Sequence, residues 1–433
     1  MPEPVETLNE LFSQASTLYP SNPLFGVRGG DGDWDWTTYA EFGTAVDQAR
    51  GGLASLGVSK GDRVAIISDN RVEWAVGAYG AFTLGTVWVP MYEAQTQKDW
   101  QFILADSGAK VMFAATDGIR AQVEEIQDQL PDLEMIVVID DPAGGNAIDY
   151  TELLARGSES PTPIVDVDPS DLAGLIYTSG TTGNPKGVML SHGNLTTNVM
   201  ALTDVFPLEQ DDRSASFLPW AHSFGQTVEL HTLMHQGASM GLTSAATLTR
   251  DMPEIKPTML VSVPTVFNKV YDGLQKMMEA EGGVKKSMFD AAVSNARKRE
   301  QMRKRGKRSR WVDLQNDLFD KLVFSKVRDA FGGRLKYAFS GGAAISTEVA
   351  EFISAVGITV YEGYGLTETS PVVTANTKSG RRLGSVGRTI PAVTVAIDKE
   401  LTGDSDVGEI VVHGPNVMVG YYNLPEENSA VFT

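Results

Sequence analysis

Residues 177–188 read Tyr-Thr-Ser-Gly-Thr-Thr-Gly-Asn-Pro-Lys-Gly-Val. Four hydroxyls (Thr178, Ser179, Thr181 and Thr182), two glycines (Gly180 and Gly183) and one lysine (Lys186) thus fall within nine positions. Glycines let backbone N–H groups approach an anion closely, hydroxyls add hydrogen-bond donors, and a lysine adds a point charge. Those are the parts of a triphosphate cradle. The spacing is not that of the common nucleoside-triphosphatase loop, which places four residues between its glycines and Ser or Thr after its lysine. Here two residues separate the glycines, and Gly187 follows Lys186. Three other runs carry groups of interest: Tyr361-Glu-Gly-Tyr-Gly-Leu-Thr-Glu-Thr369, Phe339-Ser-Gly-Gly-Ala-Ala344 and Phe217-Leu-Pro-Trp-Ala-His-Ser-Phe224, the last with His222 among aromatics. Taken singly, each also fits a glycine-rich turn or a satisfied core histidine.

The elements that must position these runs alternate. Thr7 predicts an N-cap, with Leu8, Leu11, Phe12, Ala15 and Leu18 following at helical spacing. Thr37 or Thr38 opens a second amphipathic helix, expected to end near Gly51-Gly52 or Gly57. Strands are then predicted at 63–68, 86–90, 110–115 and 135–139, with helices at 72–84, 96–105 and 120–129 between them. Such alternation predicts an α/β fold, a parallel sheet with helices on both faces. These sheets bind ligands beyond the carboxyl ends of their strands, and the hydroxyl-rich run follows the apolar segment 172–177. Further strands are expected at 259–263, 336–339 and 359–361, with a long, charged helical stretch over 265–335. After about residue 376, Ala392–Ile397 and Glu409–His413 predict short antiparallel strands.

Composition narrows the function. A formal charge of −19 argues against nucleic-acid partners, which need a basic face. The chain has no cysteine, which removes disulfides, thiolate catalysis and Cys-ligated metals. His231 and His235 lie four apart, but no accompanying carboxylate signature makes them a zinc pair. No apolar run reaches membrane-spanning length, and the acidic start lacks signal-peptide features. A cytoplasmic protein with at most peripheral membrane contact is expected. The basic run Lys304-Arg-Gly-Lys-Arg-Ser-Arg310 reads either as a solvated helix end or as a site of attraction for an anionic membrane or acyl-CoA.

In this order, the 177–188 run resembles the phosphate loop of the adenylate-forming superfamily, and 361–369 resembles its second nucleotide motif. That superfamily comprises acyl-CoA synthetases, peptide-synthetase adenylation domains and beetle luciferase. The resemblance covers nearly the whole chain. It is nearest to long-chain fatty acyl-CoA synthetases, on the Leu-Pro-x-x-His form of 218–222, the charged insert over 270–335, and Tyr364-Gly-Leu-Thr-Glu-Thr-Ser-Pro371. It implies ATP, Mg²⁺ and coenzyme A, with a fatty acid as substrate. Thr178, Ser179, Gly180, Thr181, Thr182, Gly183 and Lys186 would hold phosphates. Gly341, Gly342 and Ala343 would line the adenine site with Tyr364, while Glu362, Gly363, Gly365 and Leu366 complete that wall. Thr367 would donate to the α-phosphate, Glu368 would bind Mg²⁺ as a hard oxygen ligand, and His222 would orient the carboxylate and gate its pocket. The catalytic set so implied is His222, Thr367, Glu368 and Lys186. Ser262–Lys269 and Gly384–Arg388 also match family segments and read as structural.

The same resemblance implies a large AMP-binding domain. Residues 52–192 would form one α/β subdomain, 7–51 with 193–375 a second, and 376–433 a β-barrel-like third. Relatives continue into a small domain carrying a catalytic lysine, whereas residues 400–433 contain neither Lys nor Arg. A truncated chain that binds its ligands but turns over poorly is therefore expected. Two alternatives stand beside CoA transfer: a carrier-protein thiol or amine as acceptor, and a non-catalytic nucleotide- or acyl-binding module.

Overall fold

The computed structural model describes residues 2–179, 183–206, 208–400 and 406–432, with the backbone alone of Arg303 and Lys304. Gly180, Thr181 and Thr182 of the expected phosphate cradle lie outside the described residues. Among the described residues the strands form two large sheets and a ribbon.

The eight-stranded sheet runs in the order Gly420–Tyr421, Lys186–Ser191, Leu172–Thr178, Val87–Met91, Arg63–Ile67, Ala109–Ala114, Met135–Val138 and Ala147–Asp149. It is parallel from Leu172–Thr178 onward. Its strands there are near-continuous apolar runs buried on both faces, as a helix-covered parallel sheet requires. The nine-stranded sheet runs Arg388–Thr389, Val372–Ala375, Thr359–Gly365, Tyr337–Ser340, Met259–Ser262, Arg213–Ser216, Ser239–Leu242, Pro23–Arg28 and Trp34–Thr38. Its middle is parallel and its ends antiparallel.

Local chemistry explains the helix starts. Thr7, Thr38 and Thr96 each close a capping box with an acid three residues on. The second helix, Tyr39–Ser55, runs through Gly51-Gly52 and stops before Gly57, which has φ +80°. The glycine pair is a crossing point, not a stop: a Cβ on Gly52 would lie 2.3 Å from the Leu153 carbonyl oxygen of helix Tyr150–Glu159. Helix Val72–Thr83 is buried almost throughout, which marks it as a layer interior.

The late antiparallel strands are present, with Thr394–Asp398 pairing against Glu409–His413. Gly420–Tyr421 joins the edge of the eight-stranded sheet and Arg388–Thr389 that of the nine-stranded one. No closed barrel forms among the described residues. Nor, among them, is any helix long and apolar enough to cross a membrane.

In the nine-stranded sheet, Ser262, Ser340 and Glu362 stand level as Cα partners on three parallel neighbours. The carboxyl ends of four parallel strands therefore lie along one edge, and Phe217, Val263 and Gly341 leave the sheet there.

Candidate active site

Strand Arg213–Ser216 ends in the Phe217–Phe224 segment, which turns into wide π-type coils over Phe224–His231. Such coils concentrate at functional sites. Glu229, fully buried in them, accepts hydrogen bonds from the hydroxyls of Ser214 and of Ser216 (2.6 Å), which ties the segment back onto its own strand. Burial pushes the Glu229 carboxyl up to about 7. From the other sheet, Asn70 clamps the same segment: its amide donates to the Leu218 carbonyl (2.7 Å) and its oxygen accepts from the Trp220 N–H (2.7 Å).

The segment carries His222 at its crest. The ring is exposed by surface area, yet the protein crowding it disfavours the imidazolium and lowers its pKa. Its Nδ1 accepts from the Phe224 N–H at 3.1 Å, so the neutral ring keeps its proton on Nε2 as a free donor. Next to it, the buried Ser223 hydroxyl donates to Thr367 Oγ1 at 3.2 Å. The Phe224 ring packs on Gly341, where a Cβ would lie 2.8 Å from it. One three-residue stretch thus touches both the 339–344 and the 361–369 runs. Gly342 has φ +76°, and it and Ala343 are exposed.

Strand Thr359–Gly365 pairs with Val372–Ala375 through a turn that leaves no space at Gly365, where a Cβ would lie 1.9 Å from the Pro371 carbonyl oxygen. Two buried asparagines hold this turn. Asn198 donates to the Thr369 carbonyl (3.1 Å) and accepts from the Val372 N–H (2.8 Å), and Asn416 donates to the carbonyls of Thr369 (2.9 Å) and Val372 (3.1 Å). Gly363 and Tyr364 are half-buried, and Leu366 is exposed. Glu362 is buried, accepts from the Gly384 N–H at 3.0 Å, and has its pKa raised by desolvation.

The hydroxyl-rich run joins two strands of a hairpin. Leu172–Thr178 returns as Lys186–Ser191, with Thr178 opposite Lys186. Ser179 is exposed, and Gly183 has φ +101° with open space around it. Lys186 Nζ lies 2.6 Å from Glu427 Oε2 and 5.3 Å from the centre of the Tyr421 ring. The Tyr421 hydroxyl in turn donates to Glu368 Oε1 at 2.7 Å, and the Met418 N–H donates to the Glu368 carbonyl at 2.8 Å. Tyr421 therefore joins Lys186, on a strand of the eight-stranded sheet, to Glu368, in the turn between two strands of the nine-stranded one.

A small, mainly apolar cavity is lined by Leu202, Phe206, Phe224, Val228, Phe339 and Tyr361, with Thr232, Ser340 and Glu362 among its polar members. The buried Ser340 hydroxyl has no partner among the described residues. His222 is not in this wall; Phe224, two residues on, is. Tyr421, Asn198, Asn416, Asn70, Glu229 and Glu427 were not among the residues expected from sequence. Asn198 alone left a local trace, as an amide beside Val199 in helix His192–Val205.

Residues 12–422 match the AMP-binding enzyme family. The chain is 35% identical over 409 residues to the long-chain-fatty-acid–CoA ligase FadD15 of Mycobacterium bovis, which covers 93% of this chain and 66% of that protein. It is 30% identical over 451 residues to long chain acyl-CoA synthetase 7, peroxisomal, of Arabidopsis thaliana, covering 99% of this chain and 63% of that one. The chain thus spans somewhat under two thirds of the length of these curated relatives. Among solved structures, the N-terminal domain of FACL13 from Mycobacterium tuberculosis superposes with a TM-score of 0.74 at 21% identity, covering 99% of this chain and 94% of that one. That likeness concerns the fold.

Proposed function

Because the chain belongs to the AMP-binding enzyme family, we propose that it is the nucleotide- and acyl-binding part of an ATP-dependent acid–thiol ligase. Its acid is a medium- to long-chain fatty acid, joined first to AMP as an acyl-adenylate and then to coenzyme A. The observation that carries this reading is the Ser223–Thr367 contact, which sets the His222 segment against the 361–369 run beside an apolar cavity. The names of the two curated relatives support a fatty acid and coenzyme A over a carrier protein or an amine.

In this reading the His222 Nε2–H donates to a carboxylate oxygen of the acid, and the Thr367 hydroxyl donates to the α-phosphate. Thr178, Ser179 and Lys186 with the backbone around Gly183 take the β- and γ-phosphates. Gly341, Gly342, Ala343 and Tyr364 hold the adenine. The protein's work is positioning and charge stabilisation, since the carboxylate itself is the nucleophile on phosphorus. Among the described residues no cluster of three or more metal-ligating side chains exists. Glu368, a lone carboxylate, suits Mg²⁺, which keeps waters and binds through one or two carboxylates plus substrate phosphates. Bound there, Mg²⁺ would offset phosphate charge.

The proposal includes slow turnover by residues 1–433 alone. Lys186, the cation of the phosphate hairpin, is engaged by Glu427 at 2.6 Å. Acyl-CoA formation by this chain at about 1–10³ per second would overturn that part. A cytoplasmic setting is likewise part of the proposal, although one relative is named peroxisomal.

The test is ATP–pyrophosphate exchange driven by a series of acids from hexanoate to palmitate. Each buried methylene contributes about 0.8 kcal/mol, so affinity should tighten several-fold per carbon until the cavity is full. A flat series would remove the fatty-acid assignment and leave aryl or short acids. Failure of the chain to bind either ATP or AMP in isothermal titration would remove the ligase reading.

A further inference from the structure

The helix Arg310–Phe319 continues without a break through π-type coils at Asp320–Phe324. Its inner face carries Val312, Asn316, Val323 and Phe324, all buried, and the Val312 carbonyl accepts from the Asn295 side chain at 3.2 Å. Its outer face carries Trp311, Leu314, Leu318 and Leu322 at 67, 62, 56 and 44% exposure. The intervals of three, four and four residues stack these side chains in one stripe along the axis. A helix facing only water would bury the leucines and expose the asparagine. Here Asn316 is inside and the leucines are outside.

The stripe is flanked by positive charge. Arg305, Lys307, Arg308 and Arg310 just before it are exposed, and none makes an ion pair among the described residues. Lys321 is exposed within it. Of the three aspartates on the same segment, Asp313 is held by Arg299 and Asp320 by Arg328, each at 2.7 Å, so Asp317 is the exposed acid. On a chain of net charge −19 this is a local basic face around an apolar stripe.

We propose that residues 305–322 form a membrane-docking surface that lies in the plane of an anionic bilayer. Trp311, Leu314, Leu318 and Leu322 enter the boundary between headgroups and acyl chains, and the basic cluster meets the anionic headgroups. At 1.5 Å per residue the stripe is about 17 Å long, too short to span a bilayer and suited to lying on one. Charge complementarity selects the bilayer as occupant: an apolar stripe alone would suit a protein partner equally well. A dense, unpaired basic cluster beside a Trp/Leu face is the pattern of interfacial helices. The surface draws on no residue of the nucleotide or acyl site.

The test is co-sedimentation of the 433-residue chain with phosphatidylcholine vesicles, with or without about 30% phosphatidylglycerol. The chain should bind the anionic vesicles roughly tenfold more strongly than the neutral ones, and less as salt rises. The double variant Trp311→Ser/Leu318→Ser, both at exposed positions, should lower that binding by about tenfold or more. Replacing Arg305, Lys307 and Arg308 by Gln should abolish the preference for anionic lipid while preserving thermal stability. Absence of vesicle binding by the parent chain would overturn the proposal, as would undiminished binding by the double variant. A parent chain that self-associates in solution through this stripe, with dissociation in the double variant and no lipid binding, would reassign the face to protein contact.

Discussion

Two segments flank the proposed nucleotide site, and they are built in opposite ways. The turn over 366–372 is held from within: Asn198 and Asn416 reach the same two backbone positions from distant parts of the chain, and Gly365 leaves no room for a side chain. On the 172–191 hairpin the contacts are looser: Ser179 is exposed, Gly183 has free space around it among the described residues, and Lys186 is held by a partly exposed carboxylate. Buried amide networks fix geometry because leaving any of their groups unpaired is costly. Ser179, Gly183 and Lys186 carry no such network among the described residues. The proposed site thus has one wall fixed by a buried network and one whose described residues, Ser179, Gly183 and Lys186, are accessible.

If that contrast is right, changes on the set wall act on chemistry and stability, while changes on the open wall act on ligand affinity. The largest effect is expected at Glu368, where the set wall presents its carboxylate. Glu368→Gln should slow adenylate formation by about 10²–10³. It should weaken Mg²⁺-dependent ATP binding far more than AMP binding, because AMP lacks the phosphates a metal would bridge. Isothermal titration with each nucleotide checks this, and equal losses for both would remove the metal role.

Glu229 gives a pH signature for the His222 segment, which meets the set wall through the Ser223–Thr367 contact. Its folded value, about 7, lies above the ordinary 4.5, because burial disfavours the carboxylate. The fold therefore favours the protonated acid. Below 4.5 both states carry the proton and stability is full; it falls as pH rises through 4.5 to 7, then levels off. The shift corresponds to ~3 kcal/mol. Glu229→Gln should match the parent in thermal melts near pH 4 and exceed it by up to ~3 kcal/mol at pH 8, reduced by any imperfect pairing with Ser214 and Ser216. A gap independent of pH would mean that the serines already support the ionised form.

Asn198→Ala strands the Val372 N–H in the interior and removes one of two donors to the Thr369 carbonyl. A loss of about 1–3 kcal/mol is expected, read as a lower denaturation midpoint. Ser179→Ala on the open wall should leave the midpoint unchanged and weaken ATP. If the two variants had similar effects on stability, the contrast between the walls would be lost.

Much of this fold was legible because its signals are local. The capping boxes at Thr7, Thr38 and Thr96 need only residues three apart, and the apolar strands of the eight-stranded sheet announce themselves by continuity. The glycines of the site were legible as glycines, but not their reasons. Gly341 answers to the ring of Phe224 and Gly365 to a carbonyl across its own turn, contacts that exist only once the sheet is assembled. Gly51-Gly52 misled for the same reason, since a helix crossing and a helix stop share one residue type. Strands Pro23–Arg28 and Lys186–Ser191 were missed because they take their identity from the strands they pair with. Tyr421, Asn70 and Glu229 carry no motif; each acts through a partner that only the tertiary fold supplies.

The smallest effect expected is at Glu427, and it probes the open wall most directly. Lys186 Nζ is 2.6 Å from the Glu427 carboxylate, with side-chain exposures of 15% and 38%. A pair this close to solvent contributes about 0–1 kcal/mol to stability, so Glu427→Gln should hardly move the denaturation midpoint. Its effect on ATP should be larger. A phosphate and the Glu427 carboxylate compete for one ammonium, which the Tyr421 ring also steadies, and removing the competitor leaves Lys186 free to turn to the ligand. ATP affinity should rise several-fold, about 1 kcal/mol, and the gain should shrink at high salt, where the pair in the parent is already screened. AMP, which has no β- or γ-phosphate, should bind both proteins alike. A fall in ATP affinity would mean that Glu427 aims Lys186 at the phosphates rather than withholding it, and the hairpin would then count as set in advance like the turn it faces.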